Sequence, residues 1–374
     1  MNLLFVNRRL GFQSTTTYTY ELARAVQSRG HKVRLCTMGG DLRDWFHQGG
    51  IEILPVKFNF FSFRRLIRFL EEFNPDLIHI QNLRTLPLGH RLAERLQRPH
   101  LVTVHHVPEE DGLASQIPHW LLTAVIAVNE DIRESLVNDH RISKELIRVI
   151  PPGINLERYV PLESRNPAFQ GRLPVVGTIG RLDPLKGIHH FLRAARKVLD
   201  RGREAMFVIV GDGEDERSLR LEAKGLGIEK HVTFAPPMPD IVDLYRSFDI
   251  VVVPTQRGGV GLTALEAMAM EKPVVASAVG ELLNIVLDGR TGFLVAERDP
   301  DQIADRITRL LDDPALCAGL GKAARRRIEE NYSLPSMVGA TEALYREILD
   351  EIESVGDTSF RRPPRRSGTS RRGP

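Results

Sequence analysis

The stretch from 249 to 277, DIVVVPTQRGGVGLTALEAMAMEKPVVAS, decides the fold. Asp249 to Val253 is an apolar run that reads as a buried strand. A loop loosened by Gly258, Gly259 and Gly261 follows, then a helical pattern carrying one acid, Glu266. Val274 to Ala276 is the next apolar run and reads as the next strand. A strand, a glycine-rich turn and a helix that opens in the turn make an anion site. The unpaired N–H groups of the helix start, and the positive end of its dipole, face a phosphate.

The same alternation extends in both directions. Towards the N-terminus, strands are expected at Asn2–Val6, His31–Cys36, Ile51–Leu54, Asp76–Ile80, Leu101–Val104 and Thr123–Val128. Helices are expected over Thr15–Arg29, stopped by Gly30, near Ser62–Phe73, and from Glu130. Tyr159 to Pro174, YVPLESRNPAFQGRLP, is polar, proline-rich and aperiodic, and reads as an interdomain linker. Strands then resume at Val175–Ile179, Phe207–Val210, Val232–Phe234, Ile250–Val253 and Val274–Ala276. Such spacing predicts an α/β protein of two doubly wound parallel sheets facing a cleft, with ligands beyond the carboxyl ends of strands. The expected division is residues 1–160, residues 172–334, a long amphipathic helix over 335–354, and a disordered arginine-rich tail over 355–374.

Composition narrows the function classes. With 374 residues, 42% of them hydrophobic and 26% charged, each half can bury a core. Cys36 and Cys317 are the two cysteines, each in an apolar setting, which argues against a disulfide framework and suits a reducing compartment. The opening MNLLFVNRRL is too short in apolar residues for a secretory signal, and no apolar run approaches the roughly 20 residues that span a bilayer. A cytoplasmic location is expected. The net charge of +3 arises in the tail, where six arginines oppose one aspartate; the rest of the chain carries −2. No nucleic-acid partner is expected.

Several residues carry candidate chemistry. His79 lies inside a strand and reads as a hydrogen-bonded core histidine; His105 ends a strand beside a loop and is the functional candidate, ahead of His106. Gly180-Arg181 and Lys186-Gly187 place two cations at a strand-to-helix turn, suited to a diphosphate or simply to a solvated loop. Gly211-Asp212-Gly213 lacks the third glycine of a dinucleotide fingerprint, with Glu216 in its place, and reads as a tight turn. Asp299-Pro300-Asp301 reads as a helix cap with proline at the first position, so no metal is assigned. Phe58 to Phe73, with Arg64, Arg65 and Arg68, fits a crossover helix better than a membrane-surface helix, and the arginine tail reads as solvated.

Ordered motifs give these residues a family setting. GRLDPLKG at 180–187, FVIVGDG at 207–213, EAMAMEKPVVAS at 266–277 and DGRTGFLV at 288–295 resemble the retaining GT-B glycosyltransferases of family 4, the glycosyl transferase group 1 proteins. In the first half LARAVQSRGHKV, PDLIHIQ, VTVHH, IAVNEDIRESL and VIPPGIN extend the resemblance to about residue 350. It implies a metal-independent hexosyltransferase without a cofactor, taking a uridine diphosphate sugar to a glycan or lipid acceptor, with a peripheral contact on the inner face of a membrane in view. Arg181 and Lys186 would neutralise the donor diphosphate. Glu266 would accept hydrogen bonds from the ribose hydroxyls, and backbone N–H groups at Gly261, Leu262 and Thr263 would meet the phosphates. His105 would lie near the transferred sugar, and the helix over 335–354 would return to the first domain.

Three positions depart from the family pattern. Gly258 stands where the first of a glutamate pair is usual, eight residues before Glu266. Gly280-Glu281, followed by Asn284, replaces a Gly-Gly with a later glutamate. Gly11-Phe12-Gln13-Ser14, on the acceptor side, replaces a Gly-Gly turn. Each lies where a sugar or acceptor is handled. The alternative to an active enzyme is a non-catalytic relative that binds nucleotide or serves as a scaffold in polysaccharide assembly.

Overall fold

The computed structural model describes residues 1–56, 60–106, 123–161, 173–238, 240–256 and 261–355, with the side chains of 60–63 and 355 excepted. Gly258 and Gly259, and most of the expected linker, lie outside the described residues. The first sheet contains β1 (Asn2–Val6), β2 (Lys32–Thr37), β3 (Glu52–Pro55), β4 (Leu77–Ile80), β5 (His100–Val104), β6 (Ala124–Ala127) and β7 (Ile147–Val149). The second contains β8 (Val175–Ile179), β9 (Met206–Val210), β10 (Val232–Ala235), β11 (Ile250–Val253), β12 (Val274–Ser277) and β13 (Gly292–Val295).

The spatial orders are β3-β2-β1-β4-β5-β6-β7 and β10-β9-β8-β11-β12-β13. Pairing is parallel throughout the described strands. Parallel neighbours need crossovers, and helices supply them. In the first half these are α1 (Ser14–Ser28), α2 (Arg43–Gln48), α3 (Phe60–Phe73), α4 (Leu86–Leu96) and α5 (Glu130–Asn138). The second half has α6 (Ile188–Asp200), α7 (Glu216–Gly225), α8 (Val242–Ser247), α9 (Leu262–Ala269), α10 (Leu282–Ile285), α11 (Pro300–Asp312) and α12 (Pro314–Asn331), with α13 (Leu334–Val355) last. Each sheet turns outward in two directions from its first strand, so a crevice opens at β1/β4 and another at β8/β11.

Both faces of each sheet are covered, which explains the unbroken apolar strands. Leu4 and Val6 of β1 join α3 residues Leu66 and Leu70, whereas Leu3 and Phe5 join Leu22 and Val26 of α1. In the second sheet Val252 packs with Phe191, and Val251 with Leu265. The face of α3 that carries Leu66, Ile67 and Leu70 is buried while Arg64, Arg65 and Arg68 are exposed, as a crossover helix requires.

The return of α13 is anchored by polar as well as apolar contacts. Tyr345 is fully buried against the first sheet, and its hydroxyl lies 2.6 Å from His79 Nδ1; His79 Nε2 lies 2.7 Å from Thr103 Oγ1. Burial pushes the His79 pKa down to about 3, so a neutral ring bridges the two hydroxyls. Arg29 and His31 both reach Glu342 at 2.8 Å. We expect Tyr345→Ala to cost about 3–5 kcal/mol in urea unfolding; a loss below 1 kcal/mol would show that α13 is not docked through this residue.

The chain crosses between halves twice, and the two crossings are laced together. Ile154 N–H donates to the Tyr332 carbonyl at 2.7 Å and Leu334 N–H to the Ile154 carbonyl at 3.0 Å. The crossing thus lies upstream of the expected linker, whose first residue is Tyr159. That residue is 2% exposed and belongs to the core beside α9, because its ring and hydroxyl have partners there. Asp299 caps α11 as expected, accepting from Gln302 N–H at 2.9 Å, and Asp301 pairs with Lys197 at 2.7 Å. Helices α2 and α4 and strands β7 and β13 were not anticipated. The Ile147–Val149 strand is only three residues with arginine at its centre, too short for an apolar run to show.

Candidate functional site

A cleft of roughly 800 Å³, partly open to solvent, lies between the halves. Its first wall is the loop into α1, with Phe12, Gln13 and Ser14, together with Trp45 of α2. Its second wall comes from the carboxyl ends of β8 and β9 and the start of α9: Gly180, Arg181, Asp212, Leu262, Thr263 and Glu266. Arg158 and Tyr159, on the connecting segment, complete it.

The second wall is built from closely packed turns. Leu182 N–H donates to the Asp212 carbonyl at 2.7 Å, joining the loops after β8 and β9. Gly211 has φ +155°, and a Cβ there would sit 1.8 Å from the Gly180 carbonyl oxygen, so the turn needs glycine for backbone approach. At the head of α9, Gly261 is left-handed at φ +69°, and a Cβ would strike Ile285 Cδ1 at 2.3 Å. The first-turn N–H groups of α9 have no intrahelical acceptor, and Leu262 and Thr263 of that turn line the cleft.

The cations occupy one loop. Arg181 is half exposed and its Nε lies 3.5 Å from an Asp183 carboxylate oxygen. Asp183 also accepts the Lys186 N–H at 3.2 Å, forming the turn over Pro184–Lys186. Burial lowers the Lys186 pKa; Asp183 opposes this and Arg181 adds to it. Lys186 does not itself line the cleft, yet its charge reaches His106 at the end of β5. Burial first, then Lys186 and Arg84, lower the His106 pKa. The charge of Lys186, in the second half, thus acts on a histidine of the first.

Glu266 is 3% exposed, and its two oxygens are held separately. Oε1 accepts from the Tyr159 hydroxyl at 2.8 Å and Oε2 from the Tyr245 hydroxyl at 2.9 Å. Burial raises its pKa to about 7, while the two tyrosine hydrogen bonds and Arg158 act to lower it and Glu21 to raise it. Neither tyrosine was singled out from the sequence. The usable signal was that Tyr245 shares the side of its segment with Val242 and Phe248, three residues away in each direction, and a phenol on an apolar face needs a partner.

His105 is 2% exposed and is not part of the cleft wall. Its ring meets Tyr18 edge-on, with centroids 4.7 Å apart. Burial first, then His106 and His79, push its pKa down to about 3, with the Gln81 backbone opposing. Neither ring nitrogen has a well-formed hydrogen bond among the described residues. The structure thus gathers Phe12, Gln13, Ser14, Arg181, Leu262, Thr263 and Glu266 around one cleft. Gly11, Lys186 and Gly261 are their immediate supports, and His105 stands apart.

The family model described as glycosyltransferase family 4 matches residues 15–158, and that described as glycosyl transferases group 1 matches residues 161–327. The chain belongs to glycosyltransferase family 4. Among family members it is similar to a D-inositol 3-phosphate glycosyltransferase from Corynebacterium jeikeium, 34% identical over 257 residues, which cover 64% of this chain and 60% of that one. A protein of the same name from Acidothermus cellulolyticus is 40% identical over 204 residues, 50% of this chain and 45% of its own. The matches thus span about half the length of these curated relatives. In structure it is similar to Anabaena Alr3699/HepE, solved in complex with UDP and glucose. That likeness has a TM-score of 0.79 at 20% identity, covering 94% of this chain and 99% of the other. The two facing parallel-sheet halves are the GT-B fold of this family. The family match bears out the resemblance carried by GRLDPLKG and EAMAMEKPVVAS.

Proposed function

We propose that this family 4 chain is a retaining glycosyltransferase that uses a uridine diphosphate sugar, without a metal ion or cofactor. The observation that carries the reading is the convergence of Arg181, the first turn of α9 and Glu266 on one cleft wall. A nucleoside diphosphate needs cations and N–H donors for its phosphates and an acceptor pair for its ribose diol. All three are provided within one wall, and the relative HepE is named as binding UDP.

In this reading the bond between the anomeric carbon and the diphosphate oxygen breaks as the acceptor oxygen bonds to that carbon and its hydroxyl proton passes to the departing diphosphate oxygen, with the configuration kept. Negative charge grows on the departing diphosphate, where Arg181, Lys186 and the α9 dipole stabilise it more than in the ground state. His105 is neutral at working pH and serves as a hydrogen-bonding partner for the transferred sugar once the halves close. The acceptor enters beside Phe12, Gln13 and Ser14. We place it among glycans or lipids, with a peripheral membrane contact in view. Among the described residues no helix is long and apolar enough to cross a membrane. The site of action is proposed as cytoplasmic.

Gly258 favours a second reading, a nucleotide-binding relative without transfer activity, because an acid usual in the family is missing there. Incubation with UDP-, GDP- and ADP-sugars, with nucleoside diphosphate release followed over time, separates the two. Turnover on a UDP-sugar that survives excess EDTA is the expected result. Binding of UDP with no release from any donor or acceptor in the panel would favour the second reading, and EDTA inhibition would refute the metal-free one.

A further inference from the structure

We propose that Tyr159 and Tyr245 are positioning residues that orient the Glu266 carboxylate for a vicinal ribose diol, so that selection of ribonucleotides depends on the segment joining the halves. This rests on the donor-site reading above. A carboxylate offers about two acceptor directions per oxygen. Tyr159 occupies one direction on Oε1 and Tyr245 one on Oε2, at 2.8 and 2.9 Å. One direction remains on each oxygen, matching a diol with one hydroxyl for each. Tyr245 Oη also lies 3.3 Å from the Thr263 carbonyl, but the contact to Glu266 is shorter and charge-assisted.

The two tyrosines come from different places. Tyr245 lies on α8, within the second half, and its ring is fully buried. Tyr159 lies on the connecting segment and is fixed there from both sides. An Arg325 nitrogen of α12 donates to the Tyr159 carbonyl at 2.6 Å and to the Ala269 carbonyl at 2.7 Å. Ala269 ends the helix that carries Glu266, so one guanidinium ties the tyrosine's backbone to the acid's own helix. On the other side, Arg158 pairs with Glu21 of α1 at 2.9 Å and with Asp240 at 3.2 Å. The carboxylate is thereby oriented by a strut whose other end rests on the first half.

Binding of UDP and of 2′-deoxy-UDP to the wild type and to Tyr159→Phe, Tyr245→Phe and the double variant tests this, with melting temperature recorded for each. Wild type is expected to prefer UDP by about tenfold or more, the value of one charge-assisted hydrogen bond. Each single variant is expected to reduce that preference several-fold, and the double variant to bring it near unity. A merely structural role would lower the melting temperature and weaken both ligands equally, leaving the ratio intact; that result overturns the proposal, and the single variants decide it should the double variant not fold. A wild type that binds both nucleotides equally would instead overturn the ribose reading of Glu266 itself, and the proposal with it.

Discussion

Alanine at Lys186 or at Arg181 is expected to lower kcat/KM for the sugar-nucleotide donor by about a hundred- to a thousandfold each, the usual cost of removing a group that stabilises transition-state charge. UDP affinity should fall less, by roughly ten- to a hundredfold. The two losses should not add. The Arg181 charge lowers the Lys186 pKa, so its removal makes the lysine easier to keep protonated. The double variant is therefore expected to lose more than the product of the single effects in steady-state kinetics, because the offset present in each single variant is gone. Unchanged kcat/KM in both single variants would remove the diphosphate role from this loop.

The second large effect concerns Glu266 and pH. Its carboxyl titrates near 7 in the folded chain, against an ordinary value of 4.5, because burial outweighs its two tyrosine donors. Between those values the folded chain holds a proton that the unfolded chain has lost. Stability of the free protein therefore falls as pH rises through that window, by at most about 1.4 kcal/mol per unit for one carboxyl, and levels off above 7. Glu281, also raised to about 7 mainly by burial, contributes in the same direction. Ribose hydroxyls donate best to an ionised carboxylate, so UDP should bind more tightly, and protect more, as pH rises from 6 to 8. Glu266→Gln is expected to weaken UDP by about tenfold or more and to abolish that part of the pH response. A wild-type UDP affinity that is flat over pH 6–8 would contradict the burial argument.

The fold was legible because both sheets are buried on two faces. Continuous apolar runs such as Ile250–Val253 and Val274–Ser277, each preceding a helix or a turn, permit few other arrangements. The nucleotide-facing loop residues were legible for a related reason. A strand end followed by glycine and a cation, as at Gly180-Arg181, marks a place where the backbone approaches a ligand. What surrounds Glu266 was not legible. Tyr159 is polar by sequence context and looked like a linker; the cluster around α8 and α9 and the Arg325 tie from α12, all distant in sequence, bury the residue. Trp45 was missed with α2, which is six residues long and offers too few turns for a periodic signal. His105 shows the opposite limit. Its place at a strand end was clear, but its enclosure beside Tyr18, away from the cleft wall, depends on how α1 packs over the sheet.

A crystal structure with UDP tests the central claim most directly. The account predicts the ribose hydroxyls within 2.6–3.2 Å of the Glu266 carboxylate, and the diphosphate between the start of α9 and the Arg181–Lys186 loop. UDP bound elsewhere in the cleft, with Glu266 untouched and still held by Tyr159 and Tyr245 alone, would contradict it.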